Sequence, residues 1–523
     1  MTFIPNVLSK NDNNNSTSVI STDYTGIGTN TTGYNQISIY ITSTQNSNAG
    51  GLEIQFSDDN SSWTTYFKDT YFTNTTFQKN YNILNTYYRI KYTTPNATFT
   101  INSRLNTETN KTNNQTPYES PSNSFYDAFG KLRVTNPYTL LDIKFPSETT
   151  ANPEFLNNNM LITSTSSGAG TASYGSSKSV LSSTGIGSYI NQSRKYCIYQ
   201  PGKSLLFLGS GIIGASAISS NYYAQLGYYD NNNGLFFKKT QTGLYVVLRN
   251  NTTNTEISQQ NWNIDSLDGT GTSGYNLDFT KNQLFVIDFE WLSVGRIRFG
   301  FYIFGQIYYC HQISNLNELT EPYMLSPNLP IRYELNVTSG SASLTQICSS
   351  VISEGGYNPI GRPFSISNGT TAITASGETA ILALRGISSS SSSNNQYYHQ
   401  HIVPSIISIF GKSNPDFIFR VRLYLAPNSP SITTWNSVDP NSVTEYALGG
   451  ANITNITNPN IIVDSGYVQG KGSVVFQNLD GIFSNLIQIT SNIDNVSDVF
   501  VLTAEPFSSS AQIYATINWN EAY

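Results

Sequence analysis

The chain has 523 residues and a formal net charge of −6, with 11% charged and 13% aromatic residues, among them 35 Tyr and 27 Phe. Soluble proteins on average carry about 25% charged residues; charge this sparse, with no clustered Lys/Arg, argues against nucleic-acid binding. No run of about 18 apolar residues occurs, so no membrane-spanning helix is expected, and the length predicts roughly two to four domains.

Tyr, Phe, Thr, Ile and Val favour strands, and no stretch shows a sustained apolar stripe of helical period. Cys197, Cys310 and Cys348 are too few and too scattered for a disulfide scaffold or a cysteine-based zinc site. The N-terminal MTFIPNVLSKNDNNN lacks an apolar core of signal-peptide length. A neutral surface rich in hydroxyls and amides, without an export signal, suits a component of a particle assembled inside a cell.

Residues 1–17 are Asn/Ser-rich and read as an extended arm. Short alternating segments follow: ISIYITS, GLEIQFSDDNSSWTTYF, YNILNTYYRIKYTT and ATFTINSRLNT. Leu52, Ile54 and Phe56 share one face, and Ser57-Asp58-Asp59-Asn60 makes a turn. Residues 18–107 thus predict an N-terminal β-sandwich, and the polar, Pro-containing 108–124 a linker. Over 125–360 the strands lengthen. GYYDNNNGLFF reads as strand, tight Asn-Gly turn, strand. The most apolar stretch is Leu284 to Ile313, LFVIDFEWLSVGRIRFGFYIFGQIYYCHQI. There Phe285, Ile287, Phe289 and Trp291 share one face, then Ile297, Phe299, Phe301 and Ile303, which predicts a hairpin with a third strand from Gln306. A Gly/Pro-rich boundary at 355–372 precedes a strand-rich C-terminal block, 361–523. The fold class is therefore all-β: tandem β-sandwich or jelly-roll modules, the central one lectin-like.

Asp288 and Glu290 stand two apart on one strand face. Glycoside hydrolases of the lectin-like sandwich type place acids in an E-x-D-x-E pattern, with a nucleophile and an acid/base flanking the bond. Here the first position is Val286. If the apolar faces are to agree across the hairpin, Phe289 must oppose Ile297, which sets Asp288 opposite Arg298 and Glu290 opposite Arg296. The reading is a structural ion-pair ladder of Asp288, Glu290, Arg296 and Arg298, with no catalytic residue assigned. The loops Asp230–Gly234 and Asp265–Gly269 offer carboxylates and amides to Ca²⁺, but turn formation explains them equally. His399 and His401 could begin a zinc site, yet no carboxylate or cysteine lies near them. No G-x-S-x-G elbow and no phosphate loop occurs. No cofactor or metal is assigned. The paired tyrosines Tyr222-Tyr223, Tyr228-Tyr229 and Tyr397-Tyr398 should each turn one ring outward and are candidate surface-recognition residues.

The stretches FYDAFGKLRVTNPYTLLD (125–142), YQPGKSLLFLGSG, GYYDNNNGLFF, IDFEWLSVGRIRFG and ISEGGYNP resemble a set of virion structural proteins, capsid-associated or fibre-like. These occur in tailed phages and in large or satellite double-stranded DNA viruses. The N-terminal FSDDNSSW turn and the C-terminal DVFVLTAE…AQIYATINWNE are similar to theirs as well. The resemblance implies a virion component; it does not imply an activity, since the family carries no established catalytic motif. It also implies self-association, by analogy as a trimer, contacts with other capsid proteins, and a role in assembly and host attachment. Two other readings stay open: a carbohydrate-binding module engaging host glycans, and a glycan depolymerase.

Overall fold

The computed structural model describes residues 9–11, 16–32, 34, 36–73, 77–106, 136–146, 161–213, 221–303, 305–358, 361–387, 401–479 and 488–522. The described elements are strands, apart from two short 3₁₀ turns, and no helix among the described residues is long and apolar enough to cross a membrane. The chain divides into two compact units, Met1–Asn123 and Ser124–Tyr523. The linker expected over 108–124 lies outside the described residues.

The first unit is built on the 20-residue strand Tyr87–Asn106. Its first half pairs with Leu52–Ser57 and its second with Gln36–Ser43. Along its other edge it pairs with Ser16–Thr25 and with Ser9–Asn11. Within the stretch read as an extended arm, Ser9–Asn11 is thus a sheet strand. Period-two alternation buries Ile37, Ile39 and Ile41, Leu52, Ile54 and Phe56, and Tyr88, Ile90 and Tyr92 in one core. In the expected turn, Asp59 Oδ1 accepts the amides of Ser61 and Ser62, each at 2.8 Å. These bonds stabilise the carboxylate and hold its pKa well below the usual range.

The second unit contains two large cores. Around the first runs a 13-stranded antiparallel sheet. The strand Lys178–Ser193 pairs with Ile331–Ser339 through residues 187–192 and with Ala342–Ser353 through residues 179–183. The sheet folds over at this shared strand, so that its two halves pack face to face. Phe237, from one half, lies 5.1 Å from the ring centre of Phe285, 5.1 Å from Phe301 and 5.5 Å from Phe299, all from the other. The apolar stretch of 284–313 forms strands Gln283–Phe289, Ile297–Ile303 and Gln306–Ile313.

The second core lies between a five-stranded and a six-stranded sheet. The strand Ala511–Ala522 is central in the former, flanked by Arg362–Ser367 and His401–Gly411. The expected boundary at 355–372 falls inside this compact unit. Polar contacts fasten the two sandwiches: Arg194 Nη1 meets Asp498 Oδ1 at 3.1 Å, Arg194 Nη2 donates to the Ala426 carbonyl at 3.2 Å, and His401 Nε2 donates to the Tyr196 carbonyl.

The turn Asp230–Asn233 sets the register of the strands Asn221–Tyr229 and Gly234–Thr240. Asp230 Oδ1 accepts the amides of Asn232 (2.7 Å) and Asn233 (2.8 Å), and Gly234 has a φ of +149°. A Cβ on Gly234 would lie 2.0 Å from Tyr229 Cβ. Gly234→Ala is expected to destabilise this unit by about 1–3 kcal/mol. Urea denaturation checks it, and an unchanged midpoint would contradict the close approach.

Candidate functional site

Five adjacent strands of one half-sheet, Ile331–Ser339, Asn221–Tyr229, Gly234–Thr240, Leu244–Asn250 and Thr253–Ser258, pair in that order. Alternation sends Tyr222, Ala224, Leu226 and Tyr228 into the core, with Leu235, Phe237, Leu244 and Val246. The opposite face then carries Tyr223, Gln225 and Tyr229, Phe236 and Lys238, Tyr245 and Arg249, Glu256, and Arg332, Glu334 and Asn336. Register aligns them in rows: Asn336–Tyr223–Thr240, then Glu334–Gln225–Lys238–Tyr245.

This face has two zones. Near the Asp230 turn, Tyr229, Phe236 and Val247 form a small apolar cluster. Arg249 covers it, 4.9 Å from the Phe236 ring centre, and Arg332 stands 5.5 Å from that of Tyr229. Towards the other end the face opens into a cleft of about 290 Å³ bordered by Asn221, Tyr222, Tyr223, Lys238, Thr240, Thr242, Tyr245, Glu256, Asn336 and Thr338. Lys238 Nζ lies 2.7 Å from Glu256 Oε1 and 5.7 Å from the Tyr223 ring centre. The Tyr223 hydroxyl donates to Glu334 Oε1 at 2.9 Å. Burial and the Glu334 charge push the Tyr223 phenol well above its usual range, so it stays a donor. The hydroxyls of Thr240, Thr242 and Tyr245 form a chain, at 3.0 and 3.4 Å. The cleft thus joins phenol rings to closely spaced amides, hydroxyls and one ion pair.

Of the tyrosines expected at the surface, Tyr223 alone among the described ones borders the cleft with its ring on the outer face. Tyr222 and Tyr228 are buried because their rings belong to the core, and Tyr229 is buried in the cluster beside Arg249 and Arg332, so neither Tyr228 nor Tyr229 is a surface-recognition residue, whereas Tyr222 still borders the cleft. Tyr397, Tyr398 and His399 lie outside the described residues. His401 is buried. Lys238, Tyr245, Glu256 and Glu334 were not singled out from the sequence. The Asn233-Gly234 hairpin register, which places Lys238 between Gln225 and Tyr245, was the available signal.

Phe289 does oppose Ile297, and Asp288 opposes Arg298. Arg298 Nη2 pairs with Asp288 Oδ2, which also accepts the Tyr309 hydroxyl at 2.6 Å. Both charged residues are buried. The Glu290 amide donates to the Arg296 carbonyl, and Glu290 Oε1 accepts the Arg296 amide, each at 3.1 Å. Neither Asp288 nor Glu290 borders the cleft described above. The acidic loops use their carboxylates as turn acceptors. Asp265 takes the amides of Leu267 (2.8 Å) and Ser273 (2.6 Å), and Asp268 takes the Thr270 amide at 2.9 Å. No group of three or more metal-ligating residues occurs among the described residues.

Residues 4–106 match a family model described as "Uncharacterised protein YqxG N-terminal domain". No curated protein matches the chain. Among solved structures, the metal-free carbohydrate recognition domain of Emp46p is 9% identical, covering 40% of this chain and 94% of that one at a TM-score of 0.25. A putative beta-glucanase from Mycobacterium abscessus is 9% identical, covering 41% and 100% at 0.28. A legume lectin-like domain from Entamoeba histolytica is 10% identical, covering 41% and 97% at 0.23. At these scores the likenesses transfer no ligand or activity to this chain.

Proposed function

We propose that this chain is a structural protein of a virus-particle surface that recognises carbohydrate through its central sandwich and so serves in host attachment. The cleft bordered by Tyr223, Lys238, Tyr245 and Glu256 carries the recognition half of this reading. Its volume lies near the lower end of small-ligand sites, and its amides, hydroxyls and phenol rings suit a sugar's mixed polar and C–H surface. The particle half rests on the resemblance of residues 125–142 and the stretches quoted with it. Self-association and contacts with other capsid proteins belong to the same proposal.

Two measurements test it. Purified particles should contain the chain by mass spectrometry, and its absence from them would end the particle reading. On a glycan array the full chain should bind a defined set of saccharides, and Tyr245→Ala should weaken that binding at least roughly tenfold, as expected when an aromatic contact is removed. Binding untouched by Tyr245→Ala would place recognition elsewhere.

A further inference from the structure

We infer that the cleft takes a neutral saccharide of one or two pyranose rings and discriminates against acidic sugars. This deepens the carbohydrate reading above and rests on it.

The charges at the cleft are already committed. Lys238 is the cation bordering the cleft, and its ammonium is held by Glu256 at 2.7 Å. A second carboxylate, Glu334, stands two strands away in the same row, bonded to the Tyr223 hydroxyl and paired with Arg332 Nη1 at 3.6 Å. The neighbouring guanidiniums, which could clamp a sugar carboxylate with two parallel bonds, are engaged towards the turn. Arg249 donates to the Asp230 carbonyl at 2.7 Å and to Asn254 at 2.9 Å. Arg332 donates to Asn231 at 2.6 Å and to Gln192 at 2.8 Å. Gln225, buried on this face between Glu334 and Lys238, has an Oε1 without a hydrogen-bond partner among the described residues. An anionic sugar would have to displace Glu256 from Lys238, and like charges brought together are a strong basis for rejection.

A neutral sugar meets no such conflict. The Lys238–Glu256 pair presents a donor and an acceptor side by side, which can serve two vicinal hydroxyls without being broken. Asn221, Asn336, Thr240, Thr242 and Thr338 supply uncharged partners around it. The Tyr245 and Tyr223 rings offer apolar surface to the C–H face of a pyranose.

The test compares the full chain's binding to matched oligosaccharides, neutral or capped by sialic or uronic acid, by titration calorimetry and saturation-transfer NMR. The neutral member should bind at least about tenfold more tightly, the scale expected for a charge-based discrimination. Glu256→Gln, at the rim of the cleft, should narrow that gap by freeing Lys238 for an acid. Thr242→Val, a milder change than Tyr245→Ala, should weaken neutral binding while leaving the urea midpoint in place. Preference for the acidic member would overturn the inference and leave the carbohydrate reading standing. Binding insensitive to both Tyr245→Ala and Thr242→Val would overturn the assignment to this cleft. Binding to neither member nor to any arrayed glycan would overturn both.

Discussion

Replacing Asp498 with alanine is expected to destabilise the 124–523 unit by about 3–5 kcal/mol, the range found when one partner of a buried ion pair is removed. Asp498 is 1% exposed. Its Oδ1 accepts Arg194 Nη1 at 3.1 Å and the Ala426 amide at 2.9 Å, and its Oδ2 accepts the Thr490 hydroxyl at 2.9 Å. Arg194 comes from the central sandwich and Asp498 from the C-terminal one, so the pair sits where the two pack. Alanine would leave the guanidinium buried opposite a void and without its carboxylate, while the Ala426 carbonyl stays 3.2 Å from Nη2. Removing the carboxylate from a buried guanidinium costs more than the loss of one ordinary hydrogen bond. Replacing both partners, Arg194→Met with Asp498→Leu, should recover much of the loss, because the charge and its counter-charge leave together. Urea denaturation of the two single variants and the double variant closes the cycle. A loss under about 1 kcal/mol for Asp498→Ala would show that water reaches the seam.

Acidification from pH 7 to 4.5 is the second large effect. His401 is buried, and its Nε2 donates to the Tyr196 carbonyl. Burial first, and the nearby Lys195 charge second, hold its imidazole at about 3, against 6.5 for a free histidine. A folded-state value below the unfolded one means stability that is present above pH 6.5 and lost as pH falls towards 3. By pH 4.5 the loss from His401 alone should be about 2–3 kcal/mol, since each unit of displacement is about 1.4 kcal/mol. His311, whose Nδ1 accepts the Asn263 amide at 3.2 Å, is lowered by burial to about 4 and adds in the same direction. Asp498 works the other way. Burial outweighs the Arg194 charge and raises its carboxyl, so the folded state holds that proton more tightly and gains as pH drops. His401→Gln keeps a donor for the Tyr196 carbonyl but cannot be protonated. Its stability should fall less steeply between pH 7 and 4.5 than that of the parent chain, and His311→Gln added to it should flatten the profile further. Parallel profiles for parent and His401→Gln would refute the assignment.

Both effects arise where two sandwiches meet, and neither was legible in the sequence. Arg194 and Asp498 are 304 positions apart, and no periodicity links residues on different modules. The registers within hairpins were legible. In Leu284 to Ile313 the pleat fixes which side chains share a face, and a slip of one residue would send Phe285, Ile287 and Phe289 to the wrong side. That constraint is why Phe289 opposite Ile297 and Asp288 opposite Arg298 could be read directly and are found. The tyrosine pairs mark where such reading stops. Alternation correctly separated Tyr222 from Tyr223 and Tyr228 from Tyr229, but it does not say whether the second face is open. Tyr229 faces away from the main core and is still buried, because Phe236, Val247 and two arginines pack on that side.

The strand Lys178–Ser193 shows the same division. Its Gly/Ser-rich sequence has little strand propensity of its own, yet it is the strand at which the 13-stranded sheet folds over. Pairing on both sides supplies the stability its side chains do not. The all-β class, the paired long strands of 284–313 and the hairpin over 222–240 followed from the sequence alone, because period-two burial and turn chemistry are local. The turn of that hairpin is Asp230–Asn233, with Gly234 already paired to Tyr229, and not a tight Asn-Gly turn. The folded-over sheet, the buried Arg194–Asp498 seam, and the cleft that gathers Tyr223, Lys238, Tyr245 and Glu256 from four strands were decided by tertiary structure. Each depends on which strands become neighbours, a choice made by the burial of whole faces and not by any one segment.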